Sequence, residues 1–129
     1  MKYFFLSVLL LFTIFGCKSK KESAEFFKRG NYHFKKNELD KAEHFFTESI
    51  KKTPDFADAY NNRGVVFLKR GNTEKALKDF EKAVNLDASF VDAKFNLAKI
   101  LSESGEFKRA EMIFKSLESK MKNSSDFYN

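Results

Sequence analysis

Three columns of residues recur at one spacing. Gly30, Gly64 and Ala98 lie 34 positions apart, as do Ala42, Ala76 and Ala110, and also Phe46, Phe80 and Phe114. No single helix, strand or turn produces a period that long. Small and aromatic residues in fixed phase at this spacing specify a helix–turn–helix unit used three times. One such unit cannot bury its own apolar face, so neighbours must stack, and about three units is the usual minimum for a stable array.

The units read 23–56, 57–90 and 91–124. In the second, Tyr60 to Phe67 opens a first helix and Gly71-Asn72 breaks it. Ala76, Phe80 and Ala83 then fall at i, i+4 and i+7, one apolar face of a second helix. Leu97, Ala98, Leu101, Gly105, Phe107, Ala110, Phe114 and Leu117 repeat the phase, as do Phe26, Gly30, His33, Asn37, Leu39, Ala42, Phe46 and Ser49. The small columns predict close approach of the two helices of a unit, with the phenylalanine column filling the space around them. Thr53-Pro54-Asp55 stops one helix and is placed to cap the next. Ser89 with Asp92, and Ser19 with Glu22, have the form of capping boxes. Leu117 and Glu118 stand where inner units carry Ser49 or Ala83 and Ile50 or Val84, as expected of an outer face.

The phase of these columns resembles the tetratricopeptide repeat family. The resemblance implies an all-α fold: an α-solenoid of three units, six antiparallel helices, whose first helices line a concave surface that binds proteins. Two positions depart from the internal pattern. Ala88 stands where the previous unit has Pro54, and Lys94 replaces the aromatic of Phe26 and Tyr60.

Residues 1–16 read as a signal peptide. Met1-Lys2 is basic, and Tyr3 to Phe15 is apolar except for Ser7 and Thr13. That run falls short of the roughly 20 residues needed to span a bilayer, and a short apolar stretch ending in a small residue is a secretory pattern. Ile14-Phe15-Gly16-Cys17 resembles a bacterial lipobox, which implies cleavage before Cys17 and lipidation of it. Cys17 is the only cysteine, so the chain forms no internal disulfide. Residues 17–22 then form a lipidated cysteine and basic tether, and residues 125–129 a polar tail. Lys18 is not the aspartate that retains some lipoproteins at the inner membrane. The expected address is the bacterial cell envelope, at the outer membrane facing the periplasm.

The formal charge of +6 becomes +5 when Lys2 leaves with the signal. The lysines are interleaved with acids, as in Glu74-Lys75 and Glu81-Lys82. That pattern and the exported address argue against a nucleic-acid partner. His33 and His44 are the only histidines, and no HExxH, paired CxxC, GxSxG or P-loop occurs. The chain reads as non-enzymatic, with no cofactor and no metal.

Function therefore falls to the first helices. Asn31, Asn62 and Asn96 project onto the concave face by register. Each carboxamide both donates and accepts, so a row of them suits the backbone of an extended peptide. Phe27, Phe34 and Val65 are candidate apolar anchors on that face. The other reading is that these asparagines satisfy only neighbouring helices or water. Tetratricopeptide clamps for acidic chaperone tails carry Lys, Asn, Asn, Lys and Arg where this chain has Phe27, Asn31, Asn62, Asp92 and Asn96. With only the asparagines matching and Asp92 of the wrong sign, that clamp is rejected. The sequence thus predicts a membrane-anchored adaptor or assembly factor for a protein or peptide partner. The alternative is a structural subunit that docks through a C-terminal patch at Met112 and Ile113, or weakly self-associates.

Overall fold

A computed structural model describes residues 2–125, and side chains for residues 18–119. Six helices follow in order: α1 (Lys2–Lys35), α2 (Leu39–Lys52), α3 (Ala57–Lys69), α4 (Thr73–Leu86), α5 (Val91–Glu103) and α6 (Phe107–Ser125). The second helices start at Leu39, Thr73 and Phe107, and α3 and α5 open at the expected unit boundaries. Helices pack in hairpin pairs, α1 with α2, α3 with α4 and α5 with α6. Each pair stacks on the next through α2 with α3 and α4 with α5.

The turns repeat for a stereochemical reason. Asn37, Gly71 and Gly105 all adopt positive φ, at 59°, 74° and 84°. Each ends a first helix in the left-handed conformation that glycine and asparagine tolerate best. The next residue's N–H then reaches back to a carbonyl of the last turn: Glu38 to His33, Asn72 to Phe67 and Glu106 to Leu101, at 2.8–3.0 Å.

The core lies between units as well as within them. Ala42, Phe46 and Val66 form one cluster, although Val66 comes from the following unit. Phe67, Ala76, Phe80, Leu97, Ile100, Leu101 and Ala110 form the other, spanning the second and third units. A Cβ built on Gly30 would lie 2.6 Å from the Phe46 ring, and one on Gly64 would lie 2.7 Å from Phe80. The glycine column therefore admits the phenylalanine column, which fills the space beside it.

The third unit breaks that pairing. Phe46 and Phe80 are buried, whereas Phe114 is 40% exposed. Ala98 occupies the glycine column there, and among the described residues no further helix covers the ring. Phe114 instead meets Phe95 edge-on at 6.1 Å. Where the two helices of the first unit meet, Ser23 and Ser49 exchange buried hydrogen bonds of 2.9 Å. The same two columns hold Ala57 with Ala83, then Val91 with Leu117.

Helix ends differ from expectation. Phe56 and Phe90 are the N-caps of α3 and α5, without side-chain caps, so Asp55 and the Ser89–Asp92 box do not close. Ser89 bonds Asp87 instead, and Ser19 donates to the carbonyl of Lys52. Asn72 does cap α4, accepting from the N–H of Lys75. No break marks the expected boundary between tether and first unit. Residues 18–29 contain neither glycine nor proline, and α1 runs through them. Cys17, the signal segment and the tail at 126–129 lie outside the residues described with side chains.

Candidate functional site

Residues three and four apart share one face of a helix. Lys28, Asn31 and Lys35 on α1, Asp58, Asn62, Val65 and Lys69 on α3, and Asp92, Asn96 and Lys99 on α5 each make such a stripe. Every one of these side chains is exposed or half-exposed. Three asparagines at the middle of the stripes were expected to form a row, and the structure joins them.

The amide of Asn62 donates to Asn31 Oδ1 at 2.8 Å, which bridges α3 to α1. Asn61 donates to Asn62 Oδ1 at 3.2 Å, and Asn96 donates to Asn61 Oδ1 at 2.9 Å, which bridges α5 to α3. Four carboxamides thus form one ladder across all three first helices. Asn31, Asn62 and Asn96 are half-exposed rungs, while Asn61 is a buried link. The ladder takes one N–H from each of three carboxamides, and each carboxamide has two. The expected contact of these asparagines with neighbouring helices is thus what the structure shows.

Asn61 was missed by sequence reasoning. Its signal is a column mismatch: positions 27 and 95 are phenylalanines, and an asparagine between them needs a polar partner.

The three anchor candidates sit differently from one another. Phe27 is half-buried against Phe56 and Phe46, with ring centroids 4.8 and 5.7 Å away. Phe34 packs beside the first cluster and carries Lys69 Nζ 4.7 Å above its ring. Val65 leans on the second cluster. All three brace the units as well as edging the groove.

Behind the ladder lies a second unexpected group. The Arg63 guanidinium grips the Asp79 carboxylate with two bonds of 2.8 Å, from Nε to Oδ2 and from Nη2 to Oδ1. It also donates to Thr47 of the preceding unit at 3.2 Å. Burial opposes the Arg63 charge, but the hydrogen bond and attraction of Asp79 outweigh it and hold its pKa above the ordinary value. The group ties α3 to α4 and α2 directly beneath the Asn62 rung.

His33 stacks on Phe45 at 5.1 Å and its ring nitrogen meets Glu38, close to the packing role expected of it. Hydrogen bonding to His33 keeps the Glu38 carboxyl below the usual carboxylate range, with Lys41 adding to the effect. The proposed docking pair is not brought together. Met112 is 72% exposed, whereas Ile113 packs on the second cluster. One residue of helix turns the two side chains about 100° apart. Among the described residues, no three His, Cys, Asp or Glu side chains cluster as a metal site, and no helix is long and apolar enough to cross a membrane.

A sequence profile of the tetratricopeptide repeat matches residues 57–90. The chain therefore carries a tetratricopeptide repeat. Solved structures agree with its architecture. MamA superposes with a TM-score of 0.76 at 21% identity over 84% of this chain, which spans 63% of that chain. The second TPR of Spaghetti (RPAP3), bound to the HSP90 peptide SRMEEVD, gives 0.73 at 26% identity, covering 78% of this chain and 93% of its own. The TPR2B domain of yeast Sti1, in a pHsp70 complex, gives 0.74 at 25% identity, covering 82% of this chain and 85% of its own. No curated protein sequence matches the chain. With that repeat it carries a protein-interaction fold.

Proposed function

We propose that this chain is a non-enzymatic module that binds an extended peptide segment along the amide ladder of its first helices. The observation that carries the proposal is the ladder itself. Its carboxamides are tied to one another across three helices, so they lose little rotamer freedom when a peptide arrives. Lysines flank the row on one side at Lys35, Lys69 and Lys99, and acids on the other at Asp58 and Asp92. Structural neighbours hold HSP90 and Hsp70 peptides. The partner here differs from an acidic C-terminal tail, because Phe27 and Asp92 replace the cations that such a tail needs.

The address forms part of the same reading. Cleavage before Cys17 and its lipidation would hold the module at a bacterial membrane, at the outer membrane facing the periplasm, as an adaptor or assembly factor. Lipid attachment stabilises membrane residence by about 0.8 kcal/mol per buried methylene, and stable anchoring takes more than one chain.

The test is titration calorimetry with a peptide mapped from a partner that is recovered by pull-down from detergent-solubilised envelope. Asn62→Ala with Asn96→Ala should weaken binding by about 2 kcal/mol, roughly thirtyfold, at about 1 kcal/mol per lost bond. The ladder also joins the units, so the same double variant should lose about 1–2 kcal/mol of stability. Unchanged affinity in a folded double variant sinks the groove reading.

A further inference from the structure

The amide ladder ends at Asn96, and the residue beside it opens a different surface. Phe95 is 53% exposed and half-exposed Phe114 meets its edge. With Val91 and Leu117 they line a cavity of about 450 Å³ between α5 and α6, whose rim carries the carboxylates of Asp92 and Glu118. In the inner units this ground is covered. Asn61, at the position equivalent to Phe95, is bridged to the next first helix, and Phe80, equivalent to Phe114, is buried under Leu97, Ile100 and Leu101. The protein's other outer face sets a carboxylate beside its ring. There, Glu25 and Tyr32 stand where α3 has Ala59 and Val66.

We infer that this cleft receives a bulky apolar side chain of the same peptide that the ladder holds, with a Lys or Arg next to it in that peptide. This rests on the groove reading. Asp92, one turn before Asn96 on the same stripe, stands on the cleft's rim, so a strand running past Asn96 delivers its next side chains into it. The floor is apolar and has room for an aromatic ring. Asp92 on the rim favours a cation over the acidic tails seen in the chaperone complexes. A second copy fits less well. An α1 face presenting Glu25 cannot substitute for Ala59.

The experiment uses the full-length chain and a positional-scanning library of synthetic decapeptides. The selected peptides should carry Phe, Trp or Leu beside Lys or Arg. Phe95→Ala should weaken the best peptide by roughly tenfold or more, as expected for a central aromatic anchor. Asn62→Ala with Asn96→Ala should weaken it independently. The half-exposed Phe95 leaves the melting curve nearly unchanged when shortened. A peptide that needs the asparagines but ignores Phe95→Ala overturns the cleft and leaves the groove. A library that yields no binder overturns both. A dimer in sedimentation that Phe95→Ala dissociates assigns the cleft to a second copy. Tighter peptide binding in Phe127→Ala/Tyr128→Ala assigns it to the chain's own tail, and either result overturns the inference.

Discussion

The Arg63–Asp79 pair offers a sharp perturbation, because the neighbouring units show what replaces it. Positions 63 and 79 correspond to 29 and 45 in the first unit and to 97 and 113 in the third. The first unit uses a cation over a ring, with the Arg29 guanidinium 4.3 Å from the Phe45 centroid. The second uses the ion pair, whose side chains are 18% and 8% exposed. The third uses Leu97 and Ile113, both within or against the apolar core. Breaking a buried pair by removing one partner costs about 3–5 kcal/mol, since a charge is left buried alone. Arg63 keeps its bond to Thr47 and some access to water, so Asp79→Ala should cost less, about 2–4 kcal/mol. Arg63→Leu should cost a similar amount through the stranded carboxylate. Arg63→Leu with Asp79→Ile copies the third unit and should fall within about 1 kcal/mol of wild type. Urea unfolding of the four proteins closes the cycle, with a coupling energy of about 2 kcal/mol or more. Single variants that each lose under about 1 kcal/mol, or a double variant that loses the sum, refute the reasoning.

Gly64→Ala gains about 1 kcal/mol of helix propensity but drives a methyl into the buried Phe80 ring, an overpacking cost of about 1–3 kcal/mol. A net fall in the melting temperature is expected, and a rise contradicts the glycine–phenylalanine pairing. Cys17→Ser should move the protein from membrane to soluble fractions or block maturation. Equal retention, with no acyl mass on the wild type, ends the anchor proposal. The Glu38 carboxyl should titrate below its ordinary 4.5 in a carbon-detected NMR titration, and should return toward it in His33→Ala. Because the folded pKa is the lower one, this contact contributes stability above the unfolded pKa and loses it as pH falls through the folded value.

Most of the fold was legible because stacking imposes one demand three times. The 34-residue columns located both the helix starts and the turns, and Asn37 joined Gly71 and Gly105 as the one common residue besides glycine that tolerates left-handed backbone. What escaped were positions where the units differ. Arg63 and Asp79 are matched by Leu97 and Ile113 in the third unit, so no column announces the ion pair. Asn61 went unnoticed in a column that holds phenylalanine in the other two units. The caps failed because Asp87 captured Ser89, a local competition of side chains that spacing does not reveal.

These departures fall in one region, and that bears on the site. A strictly periodic array would present the same face from every unit and would bind a repeating ligand. Here α1 offers Phe27, α3 offers Asn61 and α5 offers Phe95 at one column. The middle position joins the ladder, the first packs under Phe56, and the last is left open at the array's end. Ala98 stands in the glycine column of the unit whose phenylalanine, Phe114, lies outward beside Phe95, so one methyl inside the third unit should alter the surface outside it. Ala98→Gly makes this coupling measurable. The ring should settle toward the position that Phe80 holds, with Phe114 losing exposure to solvent, and the cleft between α5 and α6 should narrow while the ladder stays intact. The core column that sets the fold then also sets the shape of the groove's far end.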